Sequence, residues 1–351
     1  MLTTLALLSG VALAQEPPPP PPPAAVAQPT VGVPRPEATA EAVPFRVTVV
    51  PGIGWNASPN AQVDGFSTGF VGQAASVDGI DAQVAVSIVE GAVDGVQASA
   101  GLSMAQRVDG VQLSAGANLV EEGVDMAQLS AGVNIAGGEV RGLQAAGGAN
   151  IAERVDGLQT APLNIADEVR GVQAGVVNVG GDVDGLQVGL VNVARTSKVS
   201  IAPLNFIGDG LHRVDIWSSE SALLSGGVKF GSKHVYTLIA AGWVGEEQTW
   251  WTFGGGFGVH LQKDRLWAEI DDSAWGVASG NVVAPGVHNK LRMQVGLDLV
   301  HRHLAPFVGV SVNTWFGTGQ VTPRAVNDLP SRMADGGRVV TWPGVHAGVS
   351  F

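Results

Sequence analysis

Five ionisable residues late in the chain have the types and spacing for acid–base chemistry. His260, Glu269, Asp271, Arg292 and Asp298 sit in runs where polar and apolar residues alternate, so they share the inward side of neighbouring strands. A histidine beside a carboxylate could serve a hydrolase. The same five residues would also serve as an ion-pair network filling a small barrel lumen. We favour the network, because lumen positions are polar whatever the barrel does. A second set is defined by recurrence: Gln97, Gln112, Gln128, Gln144, Gln159, Gln173 and Gln187, with Asn118, Asn134, Asn150, Asn164, Asn178 and Asn192. These form either a polar binding stripe or a structural ladder whose members satisfy one another or the backbone. Identical residues on every rung are what repeat packing requires, which favours the ladder.

Other chemistries find no foothold. The 351 residues contain no Cys, which excludes disulfides, thiol catalysis and cysteine-ligated metal. All seven His lie after residue 210 without metal-ligand spacing, and His301-Arg302-His303 reads as a solvated turn. There is no GxSxG elbow and no P-loop, and Gly254-Gly255-Gly256 lies within a strand pattern. Acidic turns could attract Ca²⁺, but the GGxGxDxUx calcium repeat is missing. The expectation is therefore no catalytic residue, no metal and no cofactor. A net charge of −12 also argues against a nucleic-acid partner.

The elements that position these residues follow from pattern. Residues 1–14, MLTTLALLSGVALA, are apolar and end small-x-small, as in a secretory signal peptide. A Pro-rich linker at 15–43 includes seven consecutive prolines, which favour an extended polyproline spacer. A first strand is expected within 44–62. From Val63 to Gly210 a unit recurs every 14 to 16 residues, as in VDGVQLSAGANLVEEG and VDGLQVGLVNVART. In the fourth unit Val111, Leu113, Ala115, Ala117 and Leu119 alternate with Gln112, Ser114, Gly116 and Asn118, the pattern of a half-buried strand. Val-Asp/Arg-Gly reads as the turn between units. The Gln-to-Asn gap shortens from six to five from Gln159 onward, so a bulge or corner must fall there, where Pro162 and Pro203 sit.

Two architectures fit the repeats. Each unit is either one transmembrane strand of an up-and-down barrel or one coil of a β-solenoid. Asp64, Asp78, Asp94, Asp109 and Asp125 occupy one equivalent position in consecutive units and would stack about 4.8 Å apart in a parallel solenoid. Their repulsion favours antiparallel strands. The repeats carry 17 Asp/Glu against 6 Lys/Arg, so the acidity of the chain is concentrated in their turns.

After Leu211 eight of the nine Trp appear. Trp251, Phe253, Phe257, Val259 and Leu261 oppose Thr252, His260 and Gln262, and Met293, Val295, Leu297 and Leu299 oppose Arg292, Gln294 and Asp298. Apolar-out, polar-in strands with aromatics near their ends mark an outer-membrane barrel, here of about eight strands. The last strand, 345–351, ends on Phe351, like the signal read by barrel-assembly machinery, although His346 departs from the usual Gly.

The units GLQVGLVNVA at 185–194 and GVQAGVVNVG at 171–180, with APLNFIGDGLHRVDIWSSES after them, resemble the bacterial surface-repeat family first seen in spirochaetes. The likeness covers about 44–351. The early units depart from it at Ser67, Gln73, Asp81, Ser87 and Ser103. The resemblance implies outer-membrane or surface placement and supplies no catalytic residues. The expected protein is all-β: an antiparallel outer-membrane barrel built partly from the repeats, or a β-solenoid followed by a barrel at 211–351. Its expected partners are outer-membrane lipid and the assembly machinery. Its expected role is structural or interaction-bearing, with a passive pore, a surface adhesin and a hydrolase as alternatives. An extracellular ligand is not indicated by any residue.

Overall fold

The computed structural model describes residues 42–244, 250–279, 282–283, 286–299, 304–317, 332–334 and 337–351. The signal peptide at 1–14, the linker up to residue 41 and His301-Arg302-His303 lie outside the described residues. No helix among the described residues is long and apolar enough to cross a membrane, which says nothing of a barrel. Two β architectures follow one another along the chain.

The repeats form a parallel β-solenoid. Each rung lies in register on the next, with Asn150 beside Asn164, Val155 beside Val169 and Gln159 beside Gln173. This decides against antiparallel transmembrane strands for residues 63–210. Stacked carboxylates are tolerated for two physical reasons. Several of the acidic residues are solvent-exposed, where repulsion is screened. Basic residues also bridge the rungs: Arg107 contacts both Asp109 and Asp125, and Arg141 contacts Asp125 and Glu139. Beyond Asp125 the stacked position alternates in sign, through Arg141, Asp156, Arg170 and Asp184.

The Val-Asp/Arg-Gly element is a bend inside a strand and not a turn. Gly95, Gly110, Gly142, Gly157 and Gly171 take φ between 104° and 144° there. A Cβ on Gly110 would lie 2.0 Å from the carbonyl oxygen of Gly95 on the rung below. The corner expected between Gln and Asn is present, at Ala161-Pro162 in one rung, where the strand breaks. Apart from the buried Asp81, each rung thus has two uncharged stretches meeting at a corner, built of small residues in the middle rungs, and a charged stretch joining them on the far side. The segment 44–62 holds two strands, Ala42–Val50 and Ile53–Trp55; the first pairs parallel with rung one and antiparallel with the second, closing that end.

The alternation within a rung has the opposite sense to a conventional core. Gln112 and Asn118 point inward and are fully buried, whereas Val111, Leu113 and Leu119 face outward and are half-buried. The interior holds a valine column (Val93, Val108, Val124, Val140, Val155, Val169) beside an alanine-rich column, and the two amide columns.

Residues 211–351 form an eight-stranded antiparallel barrel. Its strands are Leu211–Ser219, Ala222–Gly231, Val235–Trp243, Trp250–Lys263, Leu266–Ser279, Gly286–Leu297, Ala305–Gly317 and Gly337–Ser350. The first pairs with the last, Ile216 beside Val349, so the sheet has no free edge. Outward residues are apolar and exposed, including Phe253, Phe257, Met293, Val295 and Val310. The tryptophans depart from the expected girdle. Trp217, Trp267, Trp275, Trp315 and Trp342 are buried in the interior, and among the barrel tryptophans whose side chains are described only Trp243 and Trp251, neighbours in register, are exposed. Eight strands enclose a space that side chains can fill, and here large aromatics fill much of it.

Candidate functional site

The two amide columns run the length of the solenoid. The Nε2 of each Gln donates to the Oε1 of the Gln on the preceding rung, from Gln187 to Gln173, Gln159, Gln144, Gln128, Gln112 and Gln97, at 2.8–2.9 Å. The Asn column runs the other way. Each Nδ2 donates to the Oδ1 of the following rung, from Asn118 through Asn134, Asn150, Asn164 and Asn178 to Asn192, at 2.9–3.1 Å. The second N–H of Asn134 reaches the Ala145 carbonyl at 2.7 Å, and the same bond recurs on other rungs. All thirteen side chains are sealed from solvent. A binding stripe needs access, and these groups have none.

The ladder ends are visible. Gln187 Oε1 and Asn118 Oδ1 are the terminal acceptors of their columns, and both lack a partner among the described residues. In the early rungs Ser67 and Asp81 take the Gln position, and Ser87 and Ser103 the Asn position, all buried. Gln73 does not join them. It pairs in register with Ile88, faces outward and donates to Glu90 at 2.8 Å. Arg46, missed by sequence reasoning, is buried beneath this end and donates to the Gln73 carbonyl at 2.5 Å. Burial lowers its pKa from the ordinary value, against the opposing pull of Asp81.

The barrel interior gathers the second set. Lys229 Nζ lies 2.5 Å from carboxylate oxygens of both Asp215 and Glu269. Glu269 also meets His260 Nδ1 at 2.8 Å and accepts from Gln294 at 2.5 Å. Tyr236 donates to Asp271 at 2.9 Å, and Arg292 holds Asp271 through Nε at 2.8 Å and Nη2 at 3.1 Å. Arg292 and Arg213 stack over Trp217 and Trp267, each 4.9 Å from the ring centroid.

Of the five residues singled out in sequence, His260 touches Glu269 and Asp271 touches Arg292. Asp298 stands apart, accepting from Gln262 at 2.8 Å and Arg213 at 3.4 Å. The hydrogen bonds of His260 go to Glu269 and Gln262, with no hydroxyl partner among the described residues. No group of three or more His, Cys, Asp or Glu is placed to hold a metal ion among the described residues. Sequence reasoning passed over Lys229, Tyr236 and Asp215. Each had a signal: a charge, or the single Tyr of the chain, at inward parity in a strand of membrane-crossing length.

A cleft of about 640 Å³ opens where the solenoid meets the barrel, lined by Asp209, His212, Arg213, Lys233, His234 and His260 among others. The chain matches no family model, no curated protein and no solved structure.

Proposed function

We propose that this is a non-enzymatic outer-membrane protein whose barrel anchors the solenoid at the membrane, in a structural or interaction-bearing role. One observation carries the reading. The eight strands close on themselves, with charged and polar side chains inside and apolar side chains outside, which is the arrangement a lipid environment demands. The resemblance to the surface-repeat family supports the same placement. The filled lumen speaks against a passive pore. The buried His260–Glu269 pair lacks a nucleophile partner among the described residues, which speaks against a hydrolase.

The side of attachment bears on the adhesin alternative. The solenoid enters the barrel at Leu211, at the end joined by the connections 232–234, 264–265 and 298–304, which are on balance shorter than 220–221, 244–249, 280–285 and 318–336 at the other end. Short turns face the periplasm in bacterial barrels. This reading puts the solenoid on the periplasmic side, not on the exterior face an adhesin needs.

The test is refolding into phospholipid vesicles. The unboiled protein should migrate faster than the boiled protein on a denaturing gel, and planar bilayers containing it should conduct no more than bare ones. A mature chain that is folded and monomeric in buffer without detergent would defeat the reading.

A further inference from the structure

The outer surface of the solenoid is divided sharply by charge. Every Asp, Glu, Lys and Arg from Glu90 to Lys198 lies within three positions before, or one after, the first residue of a rung. These are the charged stretches. The outward positions of the returning stretches carry no charge and no polar group: Val86 and Ile88, Leu102 and Met104, Ala117 and Leu119, then Val133 and Ile135, Ala149 and Ile151, Leu163 and Ile165, Val177 and Val179, Val191 and Val193, Leu204 and Phe206. Nine rungs span eight steps, roughly 38 Å at ~4.8 Å per step. The stretches on the other side of the corner are almost as apolar, with Val172, Leu186, Val188 and Ile201 outward.

The corner between these two faces is exposed to solvent where it carries larger side chains. Val84, Val176 and Leu190 sit there and are about half exposed or more, at 60%, 48% and 57%. Between them a shallow trough of about 850 Å³ runs from Ser99 to Val176, with an uncharged lining. An apolar surface of this extent on a water-soluble repeat would be a liability.

The last rung fixes which way the wedge points. Asp209, in its charged stretch, pairs with Lys233 at 2.8 Å, in the connection at the barrel rim. Ala202, at its uncharged corner, accepts from the Thr237 hydroxyl at 2.6 Å, and Asn205 donates to the same hydroxyl at 3.2 Å. Thr237 lies between Tyr236 and Leu238, which point into the lumen, so it belongs to the outer wall; it is buried only because the solenoid covers it. The charged side is therefore level with the rim, and the uncharged corner is displaced along the barrel wall toward the apolar belt.

We propose that the solenoid lies in the membrane leaflet beside the barrel, its charged stretches in water and its uncharged corner among acyl chains. The inference rests on the barrel being membrane-inserted. An uncharged stretch such as Leu163–Ala166 is four residues long, roughly 13 Å at ~3.3 Å per residue. That is close to half of the ~30 Å hydrocarbon thickness, the depth of one leaflet. The inward amides then make sense. In lipid a polar group must find its partner inside the protein, and the two ladders do this on successive rungs. Binding would come from the lipid leaflet itself, as for other interfacial elements, and not from a particular headgroup.

The chain has no native Cys, so single labels report cleanly. Val84→Cys, Leu190→Cys, Asp156→Cys and Val310→Cys variants of the full chain would each carry bimane, in phosphatidylcholine/phosphatidylglycerol vesicles. Folding is checked by gel migration, and Val176→Cys replaces either corner variant that does not fold. Doxyl-labelled lipid should quench the labels at 84, 190 and 310, and aqueous iodide should quench the label at 156 several-fold more than those at 84 and 190. Lipid quenching at 310 with iodide quenching at 84 and 190 overturns the proposal and leaves the barrel reading intact. Absence of lipid quenching at 310 overturns both. Protection of 84 and 190 from both quenchers, with cross-linking between copies, makes a second copy the occupant and also overturns it.

Discussion

Gln144 accepts from Gln159 and donates to Gln128, so removing its amide strands a donor on one side and an acceptor on the other. An unsatisfied buried group costs ~1–3 kcal/mol. Gln144→Met should therefore destabilise the solenoid by about 2–4 kcal/mol in chemical denaturation, whereas Gln187→Met, at a ladder end whose Oε1 already lacks a partner, should cost less. Equal effects would mean that the ladder carries no cooperativity between rungs. In the barrel, Lys229→Met leaves the carboxylates of Asp215 and Glu269 without their shared cation. Stranding a buried charge costs ~3–5 kcal/mol, read as a lower temperature for loss of the fast-migrating band. At the solvated side, hydrogen bonds from Arg195 and then Thr196 hold the Asp182 carboxyl below its usual range. A carboxyl with a depressed folded pKa stabilises above its unfolded value and loses that contribution as pH falls through the folded one. The solenoid melting temperature should be level from pH 7 to the upper edge of the carboxylate range and fall below it. Arg195→Gln should reduce that fall slightly, since solvent screens the pair.

A rung is held in shape by its bend. Gly157 has φ 141°, and a Cβ there would approach the Gly142 carbonyl oxygen to 2.1 Å. Gly157→Ala should destabilise by at least ~1–3 kcal/mol, because both the backbone region and the space are denied to a side chain. Met126 is the natural counter-example, a non-glycine at the same position with φ 109°. Met126→Gly should stabilise the solenoid by about 1 kcal/mol once the extra freedom of the unfolded chain is set against the relieved strain, read as a higher melting temperature. A lower melting temperature would show that the exposed Met126 side chain makes a compensating contact. The stacked Asp/Arg alternation after Asp125 was present in the repeats themselves. It was the available clue that the units stack in parallel, since opposite charges side by side are favourable only if those positions are neighbours.

At the scale of the molecule, the two parts solve the edge problem of β-sheets differently. The barrel closes, while the solenoid covers one end with the Ile53–Trp55 strand and the other with the barrel wall at Thr237. Stability along a solenoid is a sum over neighbouring rungs, so damage at one end should leave the other standing. Thr237→Val removes the hydroxyl that links the last rung to the wall. Hydrogen exchange should then quicken in the rungs around 191–207 and stay unchanged around 108–145. Uniform quickening would mean that the solenoid unfolds as a single unit.

Residue pattern alone determined that the chain is all-β, that 63–210 repeats, that about eight alternating strands follow, and that Gln and Asn recur as a set. Those features depend on period and parity, which are local. Which side of the repeat strands faces inward was not legible. An alternation of Val and Leu with Gln and Asn suits either sense, and burial of the amides is favourable only when every neighbouring rung supplies a partner. Nor could strand pattern decide between parallel coils and antiparallel spans, because register between units is set by contacts 14 to 16 residues apart. The lumen cluster was half legible for the same reason. Inward parity marked His260, Glu269, Asp271, Arg292 and Asp298, but closure of the barrel decided that Lys229, Tyr236 and Asp215 complete the network and that Asp298 stands apart with Arg213.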